Sequence, residues 1–106
     1  MSRVRPVTVL SIDDVLSPGA SVAGSTNTAY FTRLLGGLWS SASTTASGLR
    51  VSQAFSGTSF DHETLYTATA GAASTFDVDL SGVALEIKFT NGETTASVRA
   101  SFRLVS

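Results

Sequence analysis

Residues 83 to 104 read Val83-Ala84-Leu85-Glu86-Ile87-Lys88-Phe89-Thr90-Asn91-Gly92-Glu93-Thr94-Thr95-Ala96-Ser97-Val98-Arg99-Ala100-Ser101-Phe102-Arg103-Leu104. Val83, Leu85, Ile87 and Phe89 alternate with Ala84, Glu86, Lys88 and Thr90. Ala96, Val98, Ala100, Phe102 and Leu104 alternate with Ser97, Arg99, Ser101 and Arg103. Successive side chains of a strand point to opposite faces, so this pattern predicts two strands, each with one buried and one wet face. Antiparallel sheets show that alternation. Between the two runs lies Asn91-Gly92, the pair favoured where both central turn residues need positive φ. It predicts a type I′ hairpin joining strand 83–90 to strand 94–104.

The same period extends upstream. Leu49, Val51 and Phe55 share a face in Leu49-Arg50-Val51-Ser52-Gln53-Ala54-Phe55. Phe76-Asp77-Val78-Asp79-Leu80 sets three apolar side chains against two aspartates. Ser56-Gly57, Gly71 and Ser81-Gly82 supply breaks, so 48–106 reads as four or five short strands. Upstream, Pro6 to Ile12 reads as a strand, Ser17-Pro18-Gly19 as a turn and Ser40 to Gly48 as a loop. Thr28 to Leu35 and Leu38 to Ser41 read as strands flanking a bulge or turn at Gly36-Gly37. No segment sustains a helical period. The expected fold is an all-β antiparallel β-sandwich or jelly roll of about seven to nine short strands, one domain over 1–106.

Composition narrows the function classes. Serine and threonine make up 31 of 106 residues, charged residues only 14%, and net charge is −1. A weakly charged, hydroxyl-rich surface suits a module packed against other proteins better than a freely diffusing enzyme. Cysteine is absent and His62 is the single histidine, which removes disulfide, thiolate and multi-histidine metal chemistry. The six arginines and one lysine form no basic stripe, so no nucleic acid is expected as a partner. No apolar run reaches transmembrane length, and the N-terminus lacks the apolar core of a signal peptide.

Several groups carry side chains capable of chemistry. Asp13 and Asp14 are adjacent, and strand geometry sends adjacent side chains apart, so they read as surface or turn acids. Asp61-His62-Glu63 is the densest titratable cluster, yet no Gly-x-Ser-x-Gly elbow accompanies it. Asp77 and Asp79 share a strand face about 7 Å apart. Calcium needs oxygens converging from several loops, which two strand residues do not supply. Gly36-Gly37 lacks the Lys and helix of a phosphate loop. No catalytic, metal or cofactor site is expected, and the chain reads as no enzyme.

Residues 30–39 are different. Tyr30, Phe31, Leu34, Leu35, Leu38 and Trp39 crowd one short stretch, more large apolar side chains than one strand buries on one face. Core filling is one reading. The other is a contact patch for another chain, where aromatics are favoured. Arg3 and Arg5, ahead of Pro6, make residues 1–6 a second candidate contact arm.

The stretch Leu49-Arg50-Val51-Ser52-Gln53-Ala54-Phe55-Ser56-Gly57-Thr58-Ser59-Phe60-Asp61 resembles a pattern of bacteriophage structural proteins, L-x-V-x-Q-S-x-D-G-x-x-W-D. Ile87-Lys88-Phe89-Thr90-Asn91-Gly92 and Phe102-Arg103-Leu104 resemble its closing R-I-x-F-T-N-G and F-R-L. Ser56 stands where that pattern has Asp, Phe60 where it has Trp, and Glu86 where it has Arg. The outline also resembles, distantly, the discoidin or galactose-binding-like jelly roll. The resemblance implies a virion structural β-sandwich, foremost a capsid decoration (cement) protein assembled in the host cytoplasm. Its partners would be the major capsid protein or other virion proteins, and copies of itself as a trimer or dimer, with no membrane involved. The alternatives are a tail, neck or spike component, and a carbohydrate- or receptor-binding module. The motif also has a purely structural reading: Gly57 makes a tight turn, Phe60 caps the sandwich end, and Asp61 accepts backbone N–H groups.

Overall fold

The computed structural model describes residues 5–28, 31–56 and 59–106. Its strands, in chain order, are β1 (Val7–Leu16), β2 (Ser21–Asn27), β3 (Arg33–Ser40), β4 (Leu49–Ala54), β5 (His62–Tyr66), β6 (Ala73–Asp79), β7 (Ala84–Thr90) and β8 (Ala96–Val105). No helix occurs among the described residues. Four strands form a sheet in the order β1-β8-β3-β6, and four form a second in the order β2-β7-β4-β5. Every neighbouring pair is antiparallel. Only β4 and β5 are consecutive strands paired in one sheet; each other connection passes from one sheet to the other. Eight strands wound so into two sheets make a jelly roll, the expected all-β sandwich.

Alternation is as expected in the strands that decide the fold. Leu85, Ile87 and Phe89 of β7 face the interior, as do Ala96, Val98, Ala100, Phe102 and Leu104 of β8. With Leu34, Leu38, Leu49 and Val51 they fill the space between the sheets. Phe76 lies 4.7 Å from Tyr66, edge to face, and 5.6 Å from Phe102. Burial of each large side chain contributes about 1.5–3 kcal/mol against the entropy of ordering the chain.

The expected hairpin between β7 and β8 does not form. The two strands belong to opposite sheets, and residues 91–95 cross the end of the sandwich between them. Among the described residues only Gly19 and Gly71 have positive φ (73° and 74°), so Asn91-Gly92 lacks the backbone a type I′ turn requires. Asn91 serves burial instead. Its Nδ2 donates to the carbonyls of Leu16 (3.0 Å), Ser17 (3.0 Å) and Thr94 (2.8 Å), and its backbone N–H to Ala20 (2.8 Å). It thereby fastens the β1–β2 connection to the β7–β8 crossing. In the former, Ser17-Pro18-Gly19 is the turn expected, closed by Ala20 N–H donating to the Ser17 carbonyl at 3.1 Å.

Gly36-Gly37 is likewise no turn. β3 runs straight through both, between β6 and β8. Gly36 faces inward opposite Phe102 and Phe76, where a Cβ would sit 2.3 Å from Phe102 Cδ1. The missing side chain leaves room for the two rings. The sequence pattern gives no sign of β2, because its inward positions are Val22, Gly24 and Thr26, which carry little apolar signal.

At the opposite end, two motif residues tie loops down. Gln53 is buried; its Oε1 accepts from Ser81 N (2.9 Å) and Gly82 N (3.2 Å), and its Nε2 donates to the Asp79 carbonyl (3.3 Å). Asp61 Oδ2 accepts the backbone N–H of Phe55 at 2.9 Å, the role expected of it. Phe60 does not close the sandwich from within: 44% of it is exposed, and Phe55 is exposed as well.

Candidate interaction surface

Period-2 geometry divides the 30–39 patch. Leu34 and Leu38 are 0% and 4% exposed and belong to the core, which corrects their place in a contact surface. Phe31 is half-buried and packs on the same core. Leu35 and Trp39 occupy the alternate positions of β3 and lie half-buried on the outer face of the β1-β8-β3-β6 sheet. Arg5 is exposed; Arg3 and Tyr30 lie outside the described residues. The stretch carries too many apolar groups for one face because it uses both.

Trp39 sits where three strands meet on that outer face. In the register, Asp13 of β1 lies opposite Arg99 of β8, which lies opposite Trp39 of β3, which lies opposite Ala73 of β6. The Arg99 guanidinium stands 4.7 Å from the centroid of the Trp39 ring, within cation–π range. Asp13, Asp14, Val15, Trp39, Ser97 and Arg99 border an open cleft of about 420 Å³. Val15, 61% exposed, lines the same cleft from β1, with β8 between it and Trp39. Both aspartates are on the surface, as expected. Asp14 Oδ1 accepts the backbone N–H of Val15 (2.8 Å), so it is held at the rim of the cleft.

A second feature of the face is the pair Arg33–Asp77. Arg33 Nε donates to Asp77 Oδ1 at 2.9 Å, and Arg33 Nη2 donates to Asp77 Oδ2. That bidentate bond holds the Asp77 carboxyl below the ordinary carboxylate value and raises the guanidinium. Asp77 and Asp79 thus line the β6 edge as an ion-pair partner and its neighbour. Among the described residues no three His, Cys, Asp or Glu side chains group as metal ligands. His62 and Glu63 open β5 on the surface, while Asp61 is engaged with Phe55.

The surface therefore sets Trp39 of β3 and Val15 of β1 on one cleft, with Arg99 of β8 between the two strands and carboxylates at the rim. Trp39 stands out in the chain, whereas Arg99, Asp13 and Val15, which share its cleft, do not. Their side-chain direction was legible, but the pairing of β3 with β8 and of β8 with β1 was not. Comparison with known proteins finds no matching family, no matching curated protein and no matching solved structure.

Proposed function

We propose that this chain is a virion structural protein of a tailed bacteriophage, most specifically a capsid decoration protein that stabilises the shell by protein–protein contact. The observation that carries the reading is the strand order, β1-β8-β3-β6 over β2-β7-β4-β5. Viral capsid domains use eight-stranded jelly rolls of this kind, although lectin domains do too. The motif resemblance adds support, since Gln53 and Asp61 both hold loops that build the sandwich end. The docking face would be the outer β1-β8-β3-β6 sheet. Its apolar centre with an arginine and a polar rim has the anatomy of a protein interface.

The test is copy number and position in purified particles. Many copies on the shell, removable without dismantling it, support decoration. A few copies at a vertex or tail tip support the adaptor or spike alternative. Absence from particles overturns the proposal. Trp39→Ala is expected to leave the isolated domain folded and to weaken its attachment.

The Trp39 cleft favours one second reading, a carbohydrate-binding module. The indole borders a cleft with Asp13, Asp14 and Arg99, an aromatic wall with hydrogen-bonding groups around it, and a sugar stacking on the ring would displace the Arg99 guanidinium. Saturable sugar binding lost in Trp39→Ala supports that reading; a flat titration against neutral and acidic saccharides removes it.

A further inference from the structure

We propose that the opposite face of the molecule, on the β2-β7-β4-β5 sheet, holds a binding site for a single phosphate or sulfate group. Arg50 of β4 and Lys88 of β7 are directly opposed across the strand pair, both on the outer surface. Like charges in that position are destabilising unless an anion is shared between them. Arg50, Lys88, Thr45, Ser47 and Thr90 together line a cleft of about 90 Å³. A water's share of liquid volume is about 30 Å³, so the cleft suits a compact ion of a few heavy atoms. Two cations and three hydroxyls supply charge and donors of the kind that hold such an oxyanion.

A second observation points the same way. Arg50 Nε is itself buried and has no hydrogen-bond acceptor among the described residues, although the side chain as a whole is 42% exposed. Glu63 Oε1, 3.5 Å away, forms an ion pair with it without a hydrogen bond, so an external anion would share Arg50 with Glu63. The acids of this face, Glu63 and Glu86, share the neighbouring row with Ser25 and Ser52. The hydroxyls come from the other side, in the 41–48 loop and at the end of β7. The two cations stand between an acidic row and a hydroxyl wall, and the wall is where an external anion fits. The 41–48 loop is seated there by Thr90 N–H donating to the Gly48 carbonyl (2.7 Å) and Gly48 N–H to Thr45 (3.1 Å). This site is independent of the assembly reading.

The test is a titration of the folded protein with sodium sulfate and with inorganic phosphate, following the Arg50 Nε–Hε resonance by NMR. Sodium chloride at matched ionic strength is the control. A saturable shift in the low-millimolar range is expected, weakened at least about tenfold in Lys88→Gln. Lys88→Glu should abolish binding and, by pairing with Arg50, raise the melting temperature without added anion. That rise shows the variant is folded. A free ion and an ester group present the same oxygens, so glucose 6-phosphate is titrated alongside. Equal affinity assigns the site to the free ion, and tighter binding of the ester assigns it to a larger phosphorylated ligand. No shift beyond the chloride control, or full binding in Lys88→Gln, overturns the proposal.

Discussion

A Cβ at Gly36 would lie 2.3 Å from Cδ1 of Phe102 and 2.7 Å from the Ser101 carbonyl oxygen. The ring is fully buried and braced by Phe76, so it cannot swing clear cheaply. Gly36→Ala is expected to destabilise the domain by about 1–3 kcal/mol through overpacking. Shrinking the ring should recover part of that loss. Chemical denaturation of Gly36→Ala, Phe102→Leu and the double variant measures the coupling. Strict additivity of the two single effects would mean that the residues do not meet.

Asn91 supplies the amide that three carbonyls use. Asn91→Ala leaves the Leu16, Ser17 and Thr94 carbonyls short of a donor, at least one of them in a buried setting. Destabilisation of about 2–4 kcal/mol is expected. Asn91→Asp should be worse, because a carboxylate would face those carbonyl oxygens. Hydrogen exchange at Ala20 and Gly19 should accelerate in both, since their segment loses its anchor.

Neighbours on β3 test the division of the apolar patch. Leu38→Ala should cost about 2–5 kcal/mol, as a buried leucine does. Trp39→Ala removes a half-buried ring and a cation–π contact and should cost about 1 kcal/mol. Equal losses in thermal or urea unfolding would contradict the assignment of the two side chains to opposite faces.

Arg33 lowers the Asp77 carboxyl from its ordinary value of 3.8, chiefly through the hydrogen bond between them. A group depressed in the folded state stabilises above its ordinary value and loses that contribution as pH falls through the folded one. The window lies on the acid side of that value. Both side chains are about half exposed, so the effect on stability is small and shrinks with salt. Following the Asp77 carboxyl carbon by NMR, the midpoint should move upward in Arg33→Gln. An identical midpoint in both proteins would show that the pair does not form in solution.

Sequence alone revealed what depends on one strand and concealed what depends on two. The alternations in β7 and β8 were readable because each strand buries one face completely. β2 escaped because Val22, Gly24 and Thr26 barely differ from their outward neighbours. Asn91-Gly92 suggested a hairpin from local turn preference, yet the residues are governed by carbonyls up to 75 positions away. Gly36 is explained only by Phe102, which β8 brings beside it. The interaction surface was half readable for the same reason: Trp39 stood out in the chain, whereas Arg99 joins it through strand pairing.

The strand order also dictates a timetable. Among the described residues β1 finds its only sheet partner in β8, and β2 finds its only partner in β7. On the ribosome β1 and β2 therefore stay unzipped until β8 and β7 emerge, while β3 with β6 and β4 with β5 can pair earlier. Synthesis must reach β7 and β8 before either sheet closes. The nascent chain meanwhile carries open strand edges that invite mispairing with other copies. Slow, late, all-at-once closure follows from where β7 and β8 are inserted.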